Sequence, residues 1–112
     1  MTDDMIEVDL RISPRKVFRC RAKLALDGKP SIDAWTIDIS PGGMSLMLAE
    51  PTDPGQYCVI RFETTINGVP RSFSAIARSV YSVCSFTGQY RIGFQFVQLS
   101  AANAAMIDEM PL

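Results

Sequence analysis

Two runs of alternating apolar residues flank Asn67-Gly68, and that arrangement constrains the fold more than any other feature. From Gln56 to Ile66, the residues Cys58, Ile60, Phe62 and Ile66 fall in one phase. From Arg71 to Cys84 the alternation returns through Phe73, Ala75 and Ala77. A period of two puts successive side chains on opposite faces of a strand. Asn-Gly accepts the positive φ angles of a type I′ turn, so it closes a two-residue hairpin between these strands. The apolar phase shifts to Val80, which predicts a bend or bulge near Arg78-Ser79.

The rest of the chain has the same character. Val17 to Asp27 places Cys20, Ala22, Leu24 and Leu26 on one face and Arg19, Arg21 and Lys23 on the other. Asp27-Gly28-Lys29-Pro30 is a turn signal. Ser31 to Asp38 forms the return strand, with Trp35 and Ile37 sharing a face and Trp35 expected in the core. Met44, Leu46 and Leu48 alternate next, and Pro51 to Gly55 is a loop. After a turn at Ser85-Phe86-Thr87-Gly88, Gln89 to Gln98 places Tyr90, Ile92, Phe94 and Phe96 on one face. Ser100 suits the N-cap of a short helix over Ala101 to Met110, ended by Pro111. Ala102, Ala105 and Met106 are its expected packing residues. Six strands in hairpin succession and a terminal helix predict an all-β antiparallel barrel or sandwich.

At 112 residues and 47% hydrophobic the chain can fill one core. Residues 1–12 read as a flexible arm and residues 13–112 as the folded domain. No apolar run approaches the roughly 18 residues of a membrane span, so no membrane insertion is expected. The acidic start lacks the order of a signal peptide, and the expected location is the cytoplasm. Cys20, Cys58 and Cys84 are dispersed, which argues against a disulfide framework or a metal site. They read as reduced thiols in or near the core. The absence of His removes the commonest general base and zinc ligand. With no nucleophile–base pair evident, the chain is not expected to be an enzyme and needs no cofactor.

The net charge of −1 conceals a gradient. Asp3, Asp4, Glu7 and Asp9 crowd the start, and Arg11, Arg15, Lys16, Arg19, Arg21 and Lys23 follow closely. Such a local field suits a small anionic ligand. DNA or RNA is not expected, because the remainder offers no second basic stripe.

The chemistry concentrates in Asp38-Ile39-Ser40-Pro41-Gly42-Gly43. A carboxylate, a hydroxyl and two glycines share six residues, with Arg15 and Arg19 upstream. Guanidinium forks grip phosphate oxygens or the O6/N7 edge of guanine. An ionised Asp only accepts hydrogen bonds, which matches the N–H donors on guanine's other edge. Folding a regular hairpin at the 27–30 turn brings Arg19 opposite Asp38. Other readings stand beside these: surface charge for the arginines, and an Asx or turn role for Asp38 and Ser40. Gly43 reads as a position where a Cβ would clash or φ is positive.

Arg15-Lys16-Val17-Phe18-Arg19 followed by Asp38-Ile39-Ser40-Pro41-Gly42-Gly43 resembles the paired RxxxR and (D/N)xSxxG motifs of PilZ domains, bacterial receptors for cyclic di-GMP. Tyr90-Arg91-Ile92-Gly93-Phe94-Gln95-Phe96 also looks like that family's closing strand. The resemblance implies a PilZ-like six-stranded split barrel. It implies cyclic di-GMP binding by Arg15, Arg19, Asp38, Ser40 and Gly43, with the basic segment 11–19 closing over the ligand. Pro14 stands where some members carry a further Arg, which implies one ligand per site. Arg78 and Tyr81 are secondary candidates for ligand contact, and Arg91 reads as an exposed strand charge. The output would pass to an unidentified protein partner in motility, exopolysaccharide or biofilm control. The alternative is a ligand-independent PilZ-like adaptor, as in pilus assembly.

Overall fold

A computed structural model describes residues 14–86 and 88–111. The expected N-terminal arm, 1–12, lies outside them. Seven strands form one antiparallel sheet: β1 (Lys16–Val17), β2 (Arg21–Leu26), β3 (Ile32–Ser40), β4 (Gly43–Leu48), β5 (Tyr57–Ile66), β6 (Val69–Phe86) and β7 (Gln89–Gln98). A helix, α1 (Ala101–Glu109), follows. The order is β1-β3-β2-β5-β6-β7-β4, and β4 also pairs with β3. That last pairing completes a ring of six strands, compatible with a split barrel. The six expected strands are all present. The two-residue β1 is an addition, laid along β3 with Val17 opposite Asp38.

The turns follow their residue chemistry. Asn67 and Gly68 have φ of 52° and 79°, as the hairpin between β5 and β6 requires. Their registers run without a break from Tyr57↔Arg78 to Ile66↔Val69.

The core lies inside the ring. Leu24, Ile39, Met44, Leu46, Ile60 and Ile92 are fully buried. Phe62 stacks on Phe73 with ring centroids 4.7 Å apart, and Phe18 and Phe96 tilt against this pair. Each such fully buried side chain contributes about 1.5–3 kcal/mol of transfer free energy.

The helix caps as expected: Ser100 Oγ accepts from Asn103 N at 3.1 Å. Its packing face differs from the expected one. Met106, Ile107 and Met110 are buried, while Ala102 and Ala105 are exposed. Larger apolar side chains exclude more water, so they take the buried face. Lys16 Nζ donates to the carbonyls of Ile107 at 2.7 Å and Asp108 at 2.9 Å. Both carbonyls lie at the helix C-terminus, where a cation is favoured, and that of Ile107 also accepts from Met110 N at 3.2 Å. Arg71 pairs with Glu109 on the same helix.

Extra residues break the regular ladders at several points, and three of them bear on the motif face. Arg19 is the first. Ala22 pairs with Ala34, but Val17 pairs with Asp38, so the sum of partner numbers drops by one across Phe18–Cys20. Thr36 fills the gap: its Oγ1 donates to Phe18 O and accepts from Cys20 N, both at 2.9 Å. Ile37 is the second, between the pairs Thr36↔Leu46 and Asp38↔Ser45. Val80 is the third, between Ser79↔Phe94 and Tyr81↔Gly93. This last bulge lies near the expected position, but Val80 does not turn into the core. Ser79 keeps the inward phase at 1% exposure and Val80 is 48% exposed. Ser79 Oγ accepts from Gln56 N at 2.9 Å and donates to Asp53 O at 2.6 Å, which pins the inner position with a polar group.

Candidate functional site

The bulges build the site. Along β3, Ala34 and Thr36 face the core, and plain alternation would send Asp38 there too. The extra residue Ile37 reverses the phase, so Ile39 enters the core and Asp38 takes the outer face. Along β6, Phe73, Ala75, Ala77 and Ser79 face inward. The extra Val80 likewise turns Tyr81 outward. The ladder then links the two: Asp38 pairs with Ser45, Ser45 with Gly93, and Gly93 with Tyr81. One transverse row on the outer face thus runs from the motif carboxylate to an aromatic ring. The adjacent row carries Trp35, Met47, Arg91 and Val83. The row on the other side carries Ser40, Gly43, Gln95 and Arg78.

Asp38 is the electrostatic centre. Its side chain is 9% exposed. Arg15 Nη2 donates to Oδ1 at 3.0 Å, and Arg91 Nη2 donates to Oδ2 at 3.3 Å. Burying a carboxylate is costly unless it is paired, and here an arginine meets each oxygen. Arg91 Nε lies 3.4 Å from the Tyr81 hydroxyl. Burial alone would raise the Tyr81 phenol, but contacts with the Ser45 hydroxyl and the Arg91 guanidinium outweigh it, and its pKa is lowered. Ser45 Oγ is buried beside that phenol without a well-aligned hydrogen bond. The phenolic contact in turn raises the pKa of Arg91.

Two glycines shape the platform. A Cβ on Gly93 would lie 2.1 Å from the Tyr81 ring, so only glycine lets the ring lie flat across β7. A Cβ on Gly43 would meet the Phe94 carbonyl oxygen at 2.0 Å. Of the two expected reasons for Gly43, close approach holds. Ser40 Oγ is 3.5 Å from the Gly43 carbonyl and is buried in the turn.

Arg15, Asp38, Ser40 and Gly43 thus meet on one face, together with Arg78 and Tyr81. Arg19 does not stand opposite Asp38. The β2–β3 register is centred one step off the expected one, Arg19 is itself the extra residue that shifts it by one more, and its guanidinium lies 4.5 Å from the centroid of Trp35. Arg21 lies 4.6 Å from the same centroid. Trp35 is therefore not core but half-buried on the outer face beneath two cations, each such contact contributing roughly 0.5–1 kcal/mol. Arg91 is likewise not a plain exposed charge. Its pairing with Asp38 joins β7 to β3 through β4, and short-range sequence patterns carry no signal for it.

A groove of about 680 Å³ lies elsewhere, on the outer side of β2, β5 and β6 beside α1. Arg21, Lys23, Asp33, Arg61, Glu63 and Asn103 are among its lining residues. Much of its polar surface is already paired: Lys23 to Asp33, Ser72 to Glu63, and Asn103 to the Ser74 carbonyl. The motif face holds the groups suited to a ligand. Among the described residues no acidic, Cys or His cluster could hold a metal ion. No helix among them is long and apolar enough to cross a membrane.

The sequence model of the PilZ domain matches residues 9–110. The chain belongs to the PilZ domain family. PilZ domains are binding and regulatory domains, and the family binds cyclic di-GMP and protein partners. Among solved structures, the PilZ chain is similar to the inhibitor of motility MotI/DgrA of Bacillus subtilis. The TM-score is 0.75 at 13% identity, over 87% of this chain and 47% of that one. It therefore spans about half the length of MotI/DgrA. It is also similar to the PilZ domain of CeSA from a cellulose-synthesizing bacterium. There the TM-score is 0.61 at 20% identity, over 86% of this chain and 92% of that one. Both likenesses concern the fold. No curated protein matches the chain.

Proposed function

We propose that this PilZ domain is a receptor for cyclic di-GMP and acts by binding rather than catalysis. The observation that carries the reading is the position of Asp38: an outward carboxylate held between Arg15 and Arg91, in one row with Tyr81. Its charge is balanced and its plane is set, yet each carboxylate oxygen retains a further lone pair. Those sites suit the N1–H and N2–H₂ donors of guanine. The guanidinium groups suit the phosphates and the O6/N7 edge, and the Tyr81 ring offers a stacking face. Ser40 and Gly43 shape the turn against which the ligand rests.

Arg19 acts after a rearrangement. It leaves Trp35 when the ligand binds, and the basic segment 11–19 closes with it, the arm 1–12 preceding. Contacts made only in the closed state shift the population towards it, and a protein partner reads the altered surface. The absence of a further Arg at Pro14 favours one ligand per site. The two structural neighbours are named as an inhibitor of motility and as the PilZ domain of CeSA from a cellulose-synthesizing bacterium. Motility and exopolysaccharide control are thus fitting settings, with the cytoplasm as the location of a cyclic dinucleotide receptor.

Calorimetric titration with cyclic di-GMP tests this, with Arg15→Ala and Asp38→Ala beside the parent. Micromolar or tighter binding is expected, weakened about tenfold or more by either change, since a bidentate arginine contact contributes roughly 1–3 kcal/mol. No binding at physiological salt would refute the receptor reading and leave the ligand-independent adaptor.

A further inference from the structure

We propose that Arg91 is a third arginine of the ligand site, one that holds the Asp38 carboxylate and contacts the ligand itself. The proposal rests on the cyclic di-GMP reading and assigns a role to a residue outside both short motifs.

Arg91 and Arg15 reach Asp38 from opposite sides of β3. Arg15 arrives from the segment before β1 and takes Oδ1; Arg91 arrives from β7 and takes Oδ2. Arg15 belongs to the basic segment that the receptor reading sets in motion. Arg91 stands on a strand paired along its length with β4 and β6, so it keeps its place whether or not that segment moves. Its Nε is anchored to the Tyr81 hydroxyl, and Tyr81 is seated on Gly93. The Arg91 side chain is nevertheless 42% exposed. A guanidinium has more N–H donors than these two bonds use. The remaining donors lie beside the face where a guanine edge would meet Asp38, and a planar fork is suited to a phosphate oxygen there. Arg91 therefore holds the Asp38 carboxylate in its orientation before the ligand binds and supplies positive charge to the bound ligand.

The test is calorimetric titration with cyclic di-GMP of the parent, Arg91→Ala and Arg91→Lys, at low and physiological salt, each protein's melting temperature being measured as well. Arg91→Ala is expected to weaken binding about tenfold, with the loss larger at low salt because an exposed charge contact is screened by ions. Arg91→Lys is expected to recover part of the affinity, since it returns the charge without the fork. A purely structural Arg91 would lower the melting temperature and leave the folded protein's affinity intact. Binding by Arg91→Ala within about twofold of the parent, a difference too small for a charged contact, would overturn the proposal and leave the receptor reading standing. A parent that binds no cyclic di-GMP would overturn both.

Discussion

Arg15 and Arg19 stand four positions apart in one motif, yet they meet different partners. Arg15 is already on Asp38, whereas Arg19 is stacked on Trp35. The difference traces to the hydroxyl of Thr36, which bridges Phe18 and Cys20 and makes Arg19 the extra residue between them. The Trp35 indole is then an internal reporter, being the single tryptophan of the chain. If cyclic di-GMP draws Arg19 away, one cation leaves the ring and the Trp35 emission changes during the titration. Arg19→Ala should change the emission of the free protein and remove most of the ligand-dependent change. An unchanged emission at saturating ligand would show that Arg19 stays on Trp35 and has no part in binding.

The elements meet through a single side chain at one point. Lys16 lies between the two arginines, and its ammonium binds the last carbonyls of α1. The helix also depends on its Ser100 cap and on the apolar contacts of Met106, Ile107 and Met110. A helix of nine residues is marginal by itself, so these attachments hold it in place. Ser100→Ala should cost about 1 kcal/mol. Lys16→Ala should raise amide hydrogen exchange within α1 while leaving exchange in β5 and β6 as it was. Equal exchange in α1 of parent and Lys16→Ala would show that the contact adds nothing to helix docking.

The whole molecule is fastened by apolar burial and carries thiols in three settings. Cys58 is buried, Cys20 is half-buried and Cys84 is exposed, so the expectation that all three lie in or near the core fails for Cys84. It sits near the outer end of β6, where the hairpin extends past the ring. Burial pushes the Cys58 thiol up from 9.0 to about 12, and burial likewise raises Cys20. A raised folded-state pKa means that the folded chain holds its proton more tightly than the unfolded one. The resulting stability is complete below about pH 9 and is lost as pH rises towards about 12. Cys58→Ala does not titrate in that window, so the parent's advantage over it should shrink between pH 8 and pH 11 in denaturant unfolding. At pH 8 a thiol reagent should modify Cys84 quickly in the native protein and Cys58 only after unfolding.

Strand positions, turn types and the helix cap were legible in the sequence because each rests on local chemistry. Alternation marks a half-buried strand, Asn67-Gly68 accepts positive φ, and Ser100 caps its own helix. The two motifs and the family they belong to were legible for the same reason, since they are short and contiguous. Which way particular residues face was not. A bulge changes the phase of everything after it, and whether Arg19, Ile37 or Val80 is the extra residue depends on partner strands and on hydroxyls such as Thr36 and Ser79. Plain alternation therefore misplaced Trp35 in the core, and a regular hairpin at the 27–30 turn paired Arg19 with Asp38, where the observed register sets Val17 instead. It also left Arg91 without a partner, because Asp38 reaches it only through the β3–β4 and β4–β7 registers. The sequence by itself determined the strands, the turns and the motif residues. Only the tertiary structure decided that Asp38, Tyr81 and Arg91 share one face, because closing the ring sets those registers together.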